Sequence, residues 1–390
     1  MSALWLCDEI LGGIVMKQLK SYMVNHRQTL HQMPEQGFKE VKTSAYLKAE
    51  LVKLGYEPES VAKTGLIVYK QGESSECVAF RADMDALSIK EETNVSYAST
   101  NGCMHACGHD GHMAILLGWA NYLQQINLKK SVLLIFQPAE EGPGGAKVIL
   151  QEGVFERFNV KQVFGLHIYP NVLQGNVGIC PDITMAQTAD FDVIVTGKSG
   201  HGAMPHTSVD AIVATSHLVS SYQSIVSRHL NPLHSGVVTI GTMKGEGRRN
   251  IICEEVVLEG TIRALSHETY DEIKKRMVEI GQGIEAMFNV SVQTLIRDLY
   301  PWLINDAALV KSLHQSSLAS KLVTLEPMMI AEDFSFYLQR VPGVFFMLGA
   351  KNVEAGYTHP LHSCFFNFDD EVLVDGLKLY DEVSTYLGIY

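Results

Sequence analysis

Alternation constrains this chain more than any other feature. In its first half, short apolar runs that each end in polar residues alternate with helical patterns. "CVAFRADMDAL" (77–87), "SVLLIFQPAEE" (131–141) and "QVFGLHIYP" (162–170) read as strands, and "GHMAILLGWANYLQQI" (111–126) and "GGAKVILQEGVFERF" (144–158) as helices between them. Strands and helices in this order predict an α/β domain on a largely parallel sheet. Ligands on such sheets gather beyond the carboxyl ends of the strands. Asp83, Asp85, Glu140, Glu141 and His167 fall at or near those ends, so one pattern predicts both the fold and the place of a site.

The pattern changes near Ala186. "DFDVIVTG" reads as a strand, and 208–228 as a helix with Ala211, Ala214, Leu218, Tyr222 and Ile225 on one face. "GVVTIGTMKG" and "NIICEEVVLEGTIRAL" are two more strands. Residues 267–288 form a helix in which Ile273, Met277, Ile280, Ile284 and Met287 recur at three- and four-residue steps, and "VSVQTLIRD" closes the group as a strand. The order βαββαβ is a split, ferredoxin-like arrangement. After Leu299 the first pattern resumes, which predicts a domain of residues 1–185 and 299–390 with a second domain, 186–298, inserted into it.

A chain of 390 residues suits two cores better than one. Its formal charge of -12 argues against nucleic acid or an anionic membrane as the main partner. No apolar run reaches the ~18 residues needed to span a bilayer. Seven cysteines, scattered apart from Cys103 and Cys107, form no disulfide framework and point to a reducing, cytoplasmic setting. The N-terminus carries Asp8 and Glu9 where a secretory signal is basic, and residues before Met16 are expected to be a disordered leader.

Four segments carry chemistry. "HACGHD" sets the thiol of Cys107 and the imidazole of His109 two residues apart, with Gly108 between them to bend the backbone and Asp110 as the expected helix cap. Such a pair suits a metal ion, a thiol nucleophile or a structural loop. "FQPAEEGPGGA" places adjacent glutamates at a strand end; their side chains diverge, so one can coordinate metal while its neighbour reaches a water molecule. Alone, it also reads as a charged loop beside a helix. His167 in "GLHIYP" and His359 and His362 in "THPLHSCFFNFDD" each read individually as packed histidines. Taken together, thiol, imidazole and carboxylate donors suit Zn, Mn, Co or Ni better than Ca or Mg.

The chain resembles the M20-type metallo-amidohydrolases, in the branch that holds indole-acetyl-amino-acid hydrolases, hippurate hydrolases and N-acetyl-diaminopimelate deacetylases. The resemblance runs through "RQTLHQMPEQGFKE", "RADMDAL", "MHACGHDGHMAILLG", "FQPAEEGPGGA", "GLHIYP", "SGHGAMPH", "LEGTIRALS", "AEDFSFY" and "LHSCFFNFDD", in family order over nearly the whole chain. It implies that Cys107, His109, Glu141, His167 and His362 bind a pair of divalent metal ions. It also implies that Glu140 is the general base, that Asp85, with Asp83 beside it, orients the site, and that His201 of "SGHGAMPH" stabilises the oxyanion. Asn250 and Arg263 match positions expected to hold a substrate carboxylate, and the inserted domain is expected to act as a lid and to pair two copies in a homodimer or higher oligomer. The implied substrate is a small N-acyl amino acid, with the wording of "DALSI" and "EGTIRALS" nearest to the deacetylases of lysine biosynthesis. Ala331 and Ser88 depart from the family's usual Gly and Pro. Against this reading stand a hippurate, aminoacylase or dipeptidase specificity, a thiol amidase built on Cys107, and a non-catalytic binding relative.

Overall fold

The computed structural model describes residues 9–390, which divide into two compact units. One comprises the described residues up to Thr184 together with Ile304–Glu326 and Asp333–Tyr390; the other is Met185–Leu303 with Pro327–Glu332.

The first unit opens with helix α1 (Glu9–His31), followed by α2 (Val41–Lys53). Residues 9–15, expected as a leader, are the first turns of α1, and the rest of that expectation, residues 1–8, lies outside the described residues. Within this helix Val15 and Met16 pack on the core that buries Leu19 and Met23. Strands β1 (Glu59–Val61), β2 (Gly65–Lys70), β3 (Ser74–Asp83), β4 (Lys130–Gln137) and β5 (Val160–Leu173) join Gly343–Lys351, Val177–Ile179 and Leu322–Thr324 in one eight-stranded sheet. Its order is β1-β2-β4-β3-β5, then Gly343–Lys351, Val177–Ile179 and Leu322–Thr324. The centre is parallel: β3 pairs with β4 and β5, and β5 with Gly343–Lys351. Antiparallel pairs lie toward the edges, where β2 meets β1 and β4, and Val177–Ile179 meets Gly343–Lys351. Central strands covered on both faces explain the unbroken apolar runs.

Helix α3 (His109–Leu123) is buried at nearly every position, which is why its sequence shows no polar face. It packs on α1 closely enough that a Cβ on Gly118 would stand 2.5 Å from Sδ of Met23. Each fully buried Leu, Ile or Met of this layer contributes roughly 1.5–3 kcal/mol. The helix expected over 144–158 is two helices, α4 (Gly145–Gln151) and α5 (Val154–Arg157), because Gly153 turns left-handed at φ +72° between them.

The second unit follows the order strand, helix, strand, strand, helix, strand. Gln187–Thr196, Gly236–Gly245, Glu255–Ala264 and Ser291–Asp298 form an antiparallel sheet in which Glu255–Ala264 and Gln187–Thr196 are the inner pair. Asp210 caps the helix Ala211–Ser224 by accepting from the amides of Ile212 and Val213 at 2.9 and 3.2 Å. The helix His267–Phe288 starts at Ser266 and buries Tyr270, Ile273, Met277 and Ile284; Met287 of the expected stripe is exposed, since it lies in the last turn. No helix among the described residues is long and apolar enough to cross a membrane.

Candidate metal centre

Strand ends deliver the side chains to one place. β3 stops at Asp83, two residues short of Asp85; β4 stops at Gln137, three short of Glu140; β5 carries His167. Gly108, left-handed at φ +87°, reverses the chain between Cys107 and His109 and starts α3. A residue with a Cβ is disfavoured there, so the glycine is a requirement of the turn. His362 also has positive φ, +64°, and its amide donates to the carbonyl of Ala106 at 2.9 Å, which ties the C-terminal loop to the neighbour of Cys107.

The donor atoms are close. Sγ of Cys107 lies 3.4 Å from Nε2 of His167 and 3.3 Å from Nε2 of His362, and His362 Nε2 lies 3.2 Å from Oε1 of Glu141. Three overlapping sets, Cys107–His109–His167, Cys107–Glu141–His362 and His109–Glu140–Glu141, each offer ligand atoms within 4.8 Å of one another. His109 and His167 each turn Nδ1 to a main-chain carbonyl, of Asp85 and of Ile168, at 2.8 Å. With Nδ1–H donating, the neutral form of each ring has its lone pair on Nε2, as a metal-binding imidazole requires. Nε2 of His109 is buried with no hydrogen-bond partner among the described residues, its nearest carboxylate oxygen, on Asp83, being 3.7 Å away.

Buried groups behind this cluster hold it in shape. The carboxylate of Asp85 accepts from the amides of Glu140 and Glu141, each at 3.0 Å, so it grips the backbone that carries both glutamates. Asp83 accepts from Nδ1 of His112 at 2.6 Å and from Arg81 at 2.7 Å, and Nε2 of His112 accepts from the amide of Ile168 at 2.8 Å. His112 thus uses both nitrogens in joining Asp83 to the strand of His167. The sequence reading missed it, although its place three residues after His109 on a helix puts both on one side. Asp110 is not the cap of α3. That position belongs to Gly108, and the Asp110 carboxylate instead accepts from Nδ1 of His31 at 2.9 Å and Nε of Arg27 at 3.3 Å. His359, the other C-terminal histidine, lies tilted beside the ring of Phe365, 5.4 Å between centres, and joins none of the donor sets.

The electrostatics of the cluster favour a cation. Burial pushes the Cys107 thiol well above its ordinary value, and Glu141 and Glu140 push it further. Burial opposes charging His109, but Asp83, Asp85 and Glu141 outweigh it and hold its pKa up at about 10. His167 goes the other way, to about 3, through burial and the neighbouring His112. Burial would raise Glu141, yet His362 and His109 bring it below the usual carboxylate range. Acidic groups crowded together out of water therefore retain protons that a divalent ion displaces on binding. Thiol, imidazole and carboxylate donors, preset imidazole tautomers and an orphaned Nε2 all fit such an ion.

His201, Asn250 and Arg263 belong to the second unit. His201 is exposed, opposite Ile251 in a two-stranded ribbon, and its Nδ1 accepts from the amide of Ala203 at 3.1 Å. The carbonyl of the exposed Asn250 accepts from the amide of Gly202 at 2.8 Å, and Arg263 donates to the carbonyl of Met329 at 3.1 Å.

Comparison with known proteins agrees with this geometry. The model of peptidase family M20/M25/M40 matches residues 79–385. The chain belongs to this family. As an M20-family hydrolase it is similar to the N-acetyldiaminopimelate deacetylase of Bacillus licheniformis, with 40% identity over 330 residues covering 83% of this chain and 88% of the relative. The enzyme of the same name from Bacillus subtilis is 36% identical over 371 residues, covering 93% and 97%. Among solved structures, a putative aminohydrolase from methicillin-resistant Staphylococcus aureus superposes with TM-score 0.88 at 35% identity, covering 97% of this chain and 98% of that one. The Bacillus subtilis YXEP protein, described as a dinuclear metal-binding peptidase from the M20 family, superposes with TM-score 0.83 at 30% identity, covering 95% and 99%. The M20 fold and the donor set both fit divalent metal ions.

Proposed function

We propose that this hydrolase removes the acyl group of an N-acyl amino acid and that its substrate is N-acetyl-L,L-diaminopimelate. The observation that carries the reading is the meeting of Cys107, His109, Glu141, His167 and His362, drawn from four separate segments, with Glu140 beside them. Cys107 is common to two of the donor sets, which supports a site for a pair of ions that these residues would hold. Zn, Mn, Co and Ni suit such ligands. A divalent ion held by these residues acts as a Lewis acid toward the acyl carbonyl and acidifies water.

The chain's own residues do the rest. Glu140 takes a proton from the attacking water as its oxygen bonds to the acyl carbon, and returns that proton to the amine as the carbon–nitrogen bond breaks. The products are a carboxylate and the free amino acid. Asp85 keeps the Glu140 and Glu141 amides in place during this exchange. His112 and Asp83 keep the strand of His167 aligned. The roles of His201 toward the oxyanion, and of Asn250 and Arg263 toward a substrate carboxylate, rest on the family resemblance. So does pairing of two copies through the second unit, whose sheet has Gly236–Gly245 and Ser291–Asp298 as outer strands. The six described cysteines are free, in keeping with a cytoplasmic enzyme. The names of the relatives support diaminopimelate as the amino acid.

A thiol amidase needs Cys107 ionised by a positive surrounding, whereas Glu140 and Glu141 push its thiol up. The test is a hydrolysis screen of N-acetyl-L,L-diaminopimelate, hippurate and other N-acyl amino acids, with chelated and metal-reloaded protein. The deacetylase reading expects N-acetyl-L,L-diaminopimelate to be cleaved fastest and only after reloading. Hydrolysis that survives chelation but stops on alkylation of Cys107 overturns it, and preference for hippurate overturns the substrate.

A further inference from the structure

The segment that carries Glu140 and Glu141 is held by its amides. Ala139 N donates to Oε1 of Glu40 at 2.9 Å, the amides of Glu140 and Glu141 donate to Asp85, and Ala146 N donates to Oδ2 of Asp333 at 3.0 Å. Glu40 and Asp333 are fully buried and Asp85 nearly so. Asp333 also accepts from Gln137 and from Arg81, so the segment is gripped at its end as well as its start.

Glu40 is the least expected of these carboxylates. It lies 99 residues from Ala139 in sequence, outside the 79–385 match to the family model, in the stretch "PEQGFKE", which supplies none of the metal donors. The residue it holds is unusual. Ala139 is left-handed, φ +55°, a conformation that a residue with a Cβ adopts only when its surroundings impose it. The same stretch presses on Ala139 through Gly37, where a Cβ would stand 2.9 Å from the Cβ of Ala139 and 2.7 Å from the carbonyl of Gly142. The second oxygen of Glu40 accepts from Oγ1 of Thr64 at 2.6 Å, which fixes the carboxylate.

We propose that Glu40 is a positioning residue for the two site glutamates: by holding the amide of Ala139 it keeps that residue left-handed and so sets the direction in which Glu140 and Glu141 leave the end of β4. The proposal rests on the reading of Glu140 and Glu141 given above. It acts through geometry and not through charge, and that distinction makes it testable. Glu40→Gln loses the charge but keeps an oxygen that reaches Ala139 N. Glu40→Asp keeps the charge but withdraws the oxygen by one methylene.

The experiment measures Zn²⁺ affinity of the full chain by competition with a chromophoric chelator, with urea unfolding as a check of folding. The proteins are wild type, Glu40→Gln, Glu40→Asp, Ala139→Gly and the double variant Glu40→Asp/Ala139→Gly. Glu40→Asp is expected to weaken Zn²⁺ binding about 10- to 100-fold, as loss of a group supporting metal ligands does, and Glu40→Gln to recover most of that loss. Glycine takes positive φ without penalty, so the effect of Glu40→Asp is expected to shrink to about threefold or less in the Ala139→Gly background. The proposal is overturned if Glu40→Gln weakens binding more than Glu40→Asp does, or if Glu40→Asp has the same effect in the wild-type and Ala139→Gly backgrounds. The readout is metal affinity, so failure to hydrolyse any N-acyl amino acid counts against the functional reading alone.

Discussion

His31 couples folding to pH through a cluster that the chemistry does not use. Its Nδ1 lies 2.9 Å from Asp110 and its Nε2 3.1 Å from Glu91, and all three side chains are almost wholly buried. Burial resists charging His31, but the two carboxylates outweigh it and raise its pKa from 6.5 to about 9. A raised folded-state pKa means that the native state holds the proton more tightly than the unfolded chain does. The stabilisation is therefore complete below pH 6.5 and is lost as pH rises through about 9. At ~1.36 kcal/mol per pH unit, that interval is worth roughly 3 kcal/mol. Arg27 still pairs with Asp110 when His31 is removed, so His31→Gln leaves one partner for that carboxylate. Urea unfolding of wild type and His31→Gln should be compared from pH 6 to pH 9.5 at constant ionic strength. A chelator is present throughout, so that metal-linked protons do not contribute. The wild-type advantage should fall by about 3 kcal/mol across the range, with its midpoint between the two pKa values. A difference between the two proteins that stays flat with pH would refute the reasoning.

Glu140→Gln keeps the shape of the side chain but removes the base; turnover should fall by ~10²–10⁴ or more while elemental analysis finds the wild-type metal content. Metal uptake near neutral pH should release protons, because the Cys107 thiol and His109, at about 10, hold theirs until an ion displaces them. Calorimetry in buffers of different ionisation enthalpy measures that release, and affinity should rise with pH; pH-independent binding contradicts it. Gly145→Ala places a Cβ 1.9 Å from the carbonyl oxygen of Pro138 in the main chain before the glutamates. It should cost ~1–3 kcal/mol of stability and weaken Zn²⁺ binding, as unfolding and chelator competition would show.

Much of this protein is legible along the chain, for reasons that differ from element to element. Apolar runs ending in polar residues mark β3, β4 and β5 because a parallel strand is covered on both faces up to its carboxyl end. The helix His267–Phe288 is legible because it has one solvated face and so carries a 3.6-residue period. Cys107, His109 and the paired glutamates stand out because thiol, imidazole and carboxylate groups gathered at a tight loop and a strand end are the donors a transition-metal ion takes. Gly153 shows the limit. Its left-handed turn divides one apparent helix into two, and nothing in the local pattern separates such a glycine from one tolerated inside a helix.

Periods, turn residues and the kinds of ligand available are written along the chain, since these depend on side-chain chemistry and on neighbours a few positions away. Which distant groups meet is a property of the folded chain alone. His112 turns inward to Asp83, Asp110 answers to Arg27 and His31, and Glu40 reaches the amide of Ala139. Buried polar atoms must find partners wherever the packing brings them, and that packing is settled by the whole fold and not by spacing along the chain.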